Sequence, residues 1–214
     1  MSGLGLKFTQ SVIDLSGGML FPLLCLTAIS AIILGMGMTT TAVYITVAAL
    51  IVPSLIQAGV TPIAAHMFAF YFGVVSTITP PVALASFAGA AIAKSPPMAT
   101  AVESSKVGIA KYIVPFAFIY NPALLMEGSY WISLYSLLSV LLAYWSMTLG
   151  LEGYLNKPLN VYTRIIAFIS SILLLLPPLS IFYGISGFLL NGVGFVILIF
   201  VYLIQGKFKL GHVK

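Results

Sequence analysis

Charge is what this sequence has least of. Nine Lys or Arg and four Asp or Glu, 6% of 214 residues, stand against 61% hydrophobic residues and a mean hydropathy of +1.15. A soluble domain carries roughly 25% charged residues and 45–50% apolar ones, because water must wet its surface. Thirteen ionic side chains cannot wet a globule of this size, which excludes a soluble enzyme and a disordered chain. The net charge of +5 does not point to nucleic acid, since the basic residues fall singly in breaks between apolar runs and form no stripe along a phosphate backbone. Cysteine is nearly absent too: Cys25 alone forms neither an internal disulfide nor a Cys-based metal site. His66 and His212 lie far apart without ligand spacing. No nucleophile–base pair, metal cluster or phosphate loop is present, and Gly35-Met36-Gly37 lacks the lysine of the last. The expectation is no catalysis and no organic cofactor. The remaining solvent is a lipid bilayer.

What the chain has in place of charge is long apolar runs. Crossing about 30 Å of hydrocarbon takes about 20 apolar residues in a helix, whereas barrel strands alternate with period two. Unbroken runs at 15–34, 41–56, 63–93, 112–126, 130–149, 165–183 and 188–204 therefore predict an all-α integral membrane protein. The order predicted is a segment 1–14 facing outside, a helical hairpin 15–56 with its tip at 35–41, and a broken helix 63–93. A cytoplasmic connector 94–111, a transmembrane helix 112–126, three further transmembrane helices over 130–204 and a basic tail 205–214 follow. The tip is polar and uncharged, so the first pair of runs is either two crossings or a re-entrant hairpin. As one helix, 63–93 would be roughly 46 Å long at 1.5 Å per residue. Ser76-Thr77-Ile78-Thr79-Pro80-Pro81 interrupts it midway, giving two half-helices about an unwound segment 76–81.

The few charges set an orientation. One side of the membrane collects Lys94, Lys106, Lys111, Lys157, Arg164, Lys207, Lys209 and Lys214, and the other only Lys7. The positive-inside rule makes the first side cytoplasmic, with the N-terminus outside and the C-terminus inside. An outside N-terminus has to be exported, and residues 1–14 show no secretory signal. The expectation is a split product or a fragment whose delivering helix lies upstream.

Unpaired backbone groups survive at membrane depth only where protein buries them or a wet cavity receives them. The arm ending near Leu34 and the half-helix ending near Ser76 would present carbonyls, the negative end of the helix dipole, to a small hard cation such as Na⁺. The arm starting near Thr41 and the half-helix starting near Pro81 would present amides to an anion. Thr39, Thr40 and Thr41 are candidate N-caps, and Pro80 or Pro81 suits a first helical position. A hairpin tip beside a broken helix is how secondary transporters with inverted repeats bind near the midplane. The plainer alternative is that Gly35 and Gly37 serve helix packing and that Pro80-Pro81 is a kink.

The stretch Gly35-Met36-Gly37-Met38-Thr39-Thr40-Thr41-Ala42-Val43-Tyr44 resembles the second hairpin tip of the large membrane subunit of tripartite ATP-independent periplasmic (TRAP) transporters. The likeness continues through Pro53, Gly59-Val60-Thr61-Pro62, His66-Met67-Phe68-Ala69-Phe70-Tyr71-Phe72-Gly73, Ile78-Thr79-Pro80-Pro81-Val82-Ala83-Leu84-Ala85 and Tyr120-Asn121-Pro122-Ala123-Leu124-Leu125. Taken together the motifs resemble the TAXI branch, in which small and large membrane subunits are often fused. They cover residues 1 to about 128, and the tail shares only hydropathy with that branch. Thr39 departs from the family pattern, which often has proline there.

The resemblance implies the C-terminal half of an elevator-type, ion-coupled permease in the inner (cytoplasmic) membrane of a bacterium or archaeon. It would import an organic anion, a carboxylate, handed over by a periplasmic TAXI-type binding protein, with Na⁺ or H⁺ as coupling ion. Gly35, Gly37, Thr39, Thr40, Thr41, Ser76, Thr77, Thr79, Pro80 and Pro81 would line the site for coupling ion and substrate. The N-terminal permease half and the small membrane subunit would be partners outside this chain. The alternative reading is a truncated, non-transporting remnant or assembly partner that lacks the first repeat.

Other residues have plainer roles. His66 is either a buried neutral histidine bonded to a neighbour or a proton carrier. Glu103 and Lys106 are spaced for a surface ion pair. Tyr112, Tyr130, Trp131 and Tyr154 suit an interfacial belt.

Overall fold

The computed structural model describes residues 4–155, 157–182 and 184–205. Lys207, Lys209, His212 and Lys214 of the basic tail fall outside the described residues, as do Asn156 and Tyr183. The chain divides into two compact units, Met1–Leu125 and Met126–Lys214.

The first unit holds α1 (Leu4–Leu15), α2 (Leu20–Gly35), α3 (Thr40–Leu50), α4 (Val52–Gln57), α5 (Pro62–Val75), α6 (Leu84–Ala93), α7 (Pro97–Val107) and α8 (Ile109–Tyr120). The central helix is α5, against which α2, α3 and α8 pack. Its residues Ala64, Ala65, Ala69 and Gly73 are buried, and small side chains let neighbouring backbones approach closely. A Cβ on Gly73 would press on Val43 of α3. Phe68 is fully buried, with its ring 4.8 Å from that of Phe72 and 5.4 Å from that of Phe116 on α8. Pro53 separates α3 from α4, because a proline nitrogen has no hydrogen to continue the helical ladder.

Several boundaries differ from those the apolar runs suggest. The segment 4–15 is helical and joins the core through Val12, while Thr9 Oγ1 donates to Leu50 O at 3.3 Å. The connector 94–111 contains α7, whose Pro97 occupies a first-turn position where no amide donor is needed. The run 112–126 does not continue as one helix: α8 ends at Tyr120, and Pro122–Leu125 form a 3₁₀ turn. None of the described helices of this unit exceeds the 16 residues of α2, roughly 24 Å, short of the ~30 Å hydrocarbon core.

The second unit holds α9 (Tyr130–Glu152), α10 (Val161–Leu175), a small ladder of β1 (Ile181–Phe182) with β2 (Ile185–Ser186), and α11 (Gly187–Gln205). Over 23 residues of α9 and over Gly187–Ile204 of α11 the chain is long and apolar enough to cross a membrane. A run at 165–183 suggested a longer helix, yet α10 stops at Leu175 because Pro177-Pro178 cannot extend it. Serines join the three helices. Ser139 Oγ donates to Leu174 O (2.6 Å), Ser146 Oγ to Ala167 O (2.8 Å) and Ser170 Oγ to Gly194 O (2.7 Å). The buried Asn191 amide directs its NH₂ at the carbonyls of Leu173, Leu176 and Gly187, at 2.7, 3.2 and 3.3 Å. Arg164 closes the carbonyl end of α9, donating from Nε to Gly150 O and from Nη2 to Leu151 O. Large apolar side chains cover the outside of each unit, Ile92 at 87% exposure and Trp131 at 76% among them.

Candidate functional site

The broken helix of the first unit runs as α5, a 3₁₀ turn Ser76–Ile78, an irregular stretch 79–83 and α6. The peptide between Pro80 and Pro81 is cis. Neither proline opens α6, which begins three residues later at Leu84 with Ala83 as its N-cap. Ala83 has no side-chain acceptor, so the first amides of α6 lack the usual cap. In its first turn Ser86 Oγ is buried and has no hydrogen-bond partner.

The hairpin tip lies against this break. A Cβ on Gly35, the last residue of α2, would overlap Ser76 Oγ and Cβ, and one on Gly37 would stand 4.0 Å from Val82 Cγ1. Gly37 has φ of +79°, a conformation that suits glycine and lets the chain reverse between α2 and α3. Thr39 is the N-cap residue of α3, but its hydroxyl makes no capping bond, and Thr39, Thr40 and Thr41 are all exposed. The tip and the break thus meet at Gly35–Ser76, with Val82 near Gly37, while the three threonines are exposed.

The carbonyl end of α5 is not open in the way its amide counterparts are. Ser76 Oγ donates to Gly73 O at 2.6 Å, Thr77 Oγ1 to Val74 O at 2.8 Å and Thr79 Oγ1 to Val75 O at 2.7 Å. Hydroxyls expected to face a cation therefore also cap the last turn of their own helix. Each hydroxyl donates its proton in these bonds and keeps its oxygen lone pairs.

Residues of α7 and α8 hold the break from the other side. Thr79 Oγ1 lies 2.6 Å from Tyr112 Oη, Ser105 Oγ donates to Ile78 O at 3.0 Å, and Tyr112 Oη lies 3.4 Å from Ser105 Oγ. A Cβ on Gly108 would press on Ile78 Cδ1. Beside this contact an open recess of about 310 Å³ is lined by Pro80, Val102, Ser105, Lys106, Ile109 and Tyr112. Tyr112, assigned above to an interfacial belt, is half-buried and bonded at the break. Ser86, Ser105 and Gly108 carried no sequence signal beyond being small residues in their segments.

His66 stands apart. It precedes Ser76 by ten residues of helix, roughly 15 Å, and is exposed rather than buried. Its Nδ1 is 3.0 Å from Tyr44 Oη, and Tyr44 meets Phe70 edge to face at 5.8 Å. Glu103 and Lys106 form the expected exposed ion pair at 3.0 Å.

The model of the DctM component of the tripartite ATP-independent periplasmic transporters matches residues 1–130. The chain belongs to that family. The match spans the whole first unit and stops five residues beyond Leu125, so the tip and the break both lie inside it. Membership makes this DctM protein a membrane component of a transport system, not an enzyme, and implies a periplasmic binding protein and a small membrane subunit as partners. It also puts the protein in the inner membrane. No curated protein and no solved structure matches the chain.

Proposed function

We propose that this DctM protein carries one hairpin and one broken helix of the permease pathway through which an organic anion, a carboxylate, is imported. A TAXI-type periplasmic binding protein delivers the anion, an ion gradient drives it, and an elevator movement of the hairpin domain carries it across. The observation that carries the reading is the contact of Gly35 with Ser76, which sets the tip of one hairpin on the break of the neighbouring helix. At that junction α3 and α6 start without side-chain caps, so their amides and dipoles favour a carboxylate. The buried, unpaired Ser86 hydroxyl adds a donor at the same helix start. Ser76, Thr77 and Thr79, with the carbonyls of the last turn of α5, supply oxygen ligands for a coupling cation. Na⁺ is favoured over H⁺, since His66 stands roughly 15 Å along α5 from the break.

Uptake of labelled dicarboxylates by the complete transport system, under imposed Na⁺ or proton gradients, tests this. Thr40→Val and Thr79→Val should each slow uptake by about tenfold or more, the scale of one lost hydrogen bond to a bound charge. Unchanged uptake in both variants would remove the site assignment. Complete absence of gradient-driven uptake in the unaltered system would favour the non-transporting reading.

A further inference from the structure

We infer that Tyr112 is a positioning residue that controls whether the second lone pair of the Val75 carbonyl, at the end of α5, is held by the Thr79 hydroxyl or offered to the coupling cation. The inference rests on the cation-coupled reading above and adds a regulating group to it. Four polar contacts form a chain where the break meets α7 and α8: Thr79 with Val75 O, Thr79 with Tyr112, Tyr112 with Ser105, and Ser105 with Ile78 O. Only three hydroxyl protons serve them, one each from Thr79, Tyr112 and Ser105.

A carbonyl cannot donate, so the Ser105 proton is committed to Ile78 O. The Tyr112 proton then has two destinations. When it goes to Thr79, the Thr79 proton stays on Val75 O and the carbonyl is capped. When it goes to Ser105, Thr79 donates to Tyr112 instead, and Val75 O keeps its 3₁₀ bond from Ile78 N–H but gives up its hydroxyl partner. Tyr112 Oη stands 2.6 Å from Thr79 and 3.4 Å from Ser105, so both destinations are within its reach. In the second arrangement the Val75 carbonyl and a Thr79 lone pair both become ligands for a small hard cation. No covalent bond changes; two hydroxyl rotations exchange one acceptor for another. Because Ser105 and Tyr112 sit on α7 and α8, a shift of those helices toward or away from the break selects the arrangement.

The test uses the complete system for uptake and the purified full chain in detergent for thermal melting, with NaCl titrated against choline chloride. Tyr112→Phe keeps the ring but leaves Thr79 with Val75 O as its acceptor. Its Na⁺ half-saturation should rise about tenfold in both assays, the scale of one net hydrogen bond, with the maximal uptake rate unchanged. Ser105→Ala, which deletes the second destination of the Tyr112 proton, should shift half-saturation in the same direction. Na⁺-dependent melting and uptake with unshifted half-saturation in Tyr112→Phe and Ser105→Ala would overturn the relay and leave the transport reading standing. A maximal rate lost with no change in half-saturation would make Tyr112 merely structural and also overturn it. Gradient-driven uptake that ignores Na⁺ in the unaltered system would overturn the relay and assign coupling to protons. Lack of any gradient-driven uptake would instead remove the reading on which the relay rests.

Discussion

Gly35 and Ser76 touch with no room for a side chain between them. Ser76 is fully buried and its hydroxyl is bonded to Gly73 O, so it has no open space to swing into. A methyl group at residue 35 would meet both Ser76 Oγ and Cβ, and the second is fixed to the backbone of the break. Gly35→Ala should therefore move the tip away from the break. Overpacking of this kind costs about 1–3 kcal/mol. The expected result is a lower melting temperature and a fall in uptake of about tenfold or more. Adding Ser76→Gly to Gly35→Ala should return much of the lost melting temperature, because it removes the atoms the methyl group meets, while uptake stays low because the Ser76 hydroxyl is gone. A double variant that melts no higher than Gly35→Ala alone would show that the contact does not set the tip.

The seam of the second unit makes a different prediction. Ser139 and Ser146 lie two turns apart on α9 and donate to carbonyls of α10. Hydrogen bonds between membrane helices average about 0.6 kcal/mol. Ser139→Val and Ser146→Val should each lower the unfolding free energy by about that amount, plus a penalty where the larger side chain crowds the seam. The two effects should add nearly, since each serine has its own carbonyl. Unfolding in mixed micelles, read by tryptophan fluorescence, measures this, and stability unaffected by both changes would contradict the seam.

His66 tests the coupling ion. It is exposed, bonded to Tyr44, and removed from the break by roughly 15 Å of helix. His66→Gln should leave Na⁺-driven uptake within about twofold of the unaltered rate while keeping a hydrogen-bonding group for Tyr44. A loss of about tenfold confined to proton-driven uptake would return His66 to the pathway as a proton carrier.

How much of this was legible in the sequence follows from what each residue depends on. Glycine, proline and hydroxyl residues inside an apolar run are local signals, and both Gly35–Thr41 and Ser76–Pro81 could be seen as irregular without a partner. The family resemblance over the first unit rested on the same residues, and the family match covers them. Tyr112 could not be read this way, because a tyrosine near a run's end looks alike whether it faces lipid headgroups or Thr79. Hydroxyls near a helix end gave no sign of their direction either, and Ser76, Thr77 and Thr79 turn back onto α5. The end of α10 was hidden because apolar residues continue on both sides of Pro177-Pro178. The seam was readable in retrospect: Ser133, Ser136, Ser139, Ala143, Ser146 and Gly150 recur at steps of three and four, the spacing of one helix face. Hydropathy averaging erased that stripe.

Ser86 offers a prediction in which stability and transport move in opposite directions. Its hydroxyl is buried in the first turn of α6 and has no hydrogen-bond partner. A buried polar group left unpaired costs about 1–3 kcal/mol, so a purely structural residue here would be better as alanine. Ser86→Ala should raise the unfolding free energy of the purified chain by about 1 kcal/mol, since it removes that penalty and very little volume. If the hydroxyl awaits a carboxylate at the uncapped start of α6, the same change should weaken substrate binding and raise the half-saturating concentration for uptake about tenfold. The maximal rate should fall far less, because the amides of the helix start remain in place. Stabilisation without any change in uptake would mean that Ser86 is an orphan of packing and that the anion lies elsewhere. Destabilisation would mean that the hydroxyl already has a partner in the resting protein, and the start of α6 would then be capped rather than open.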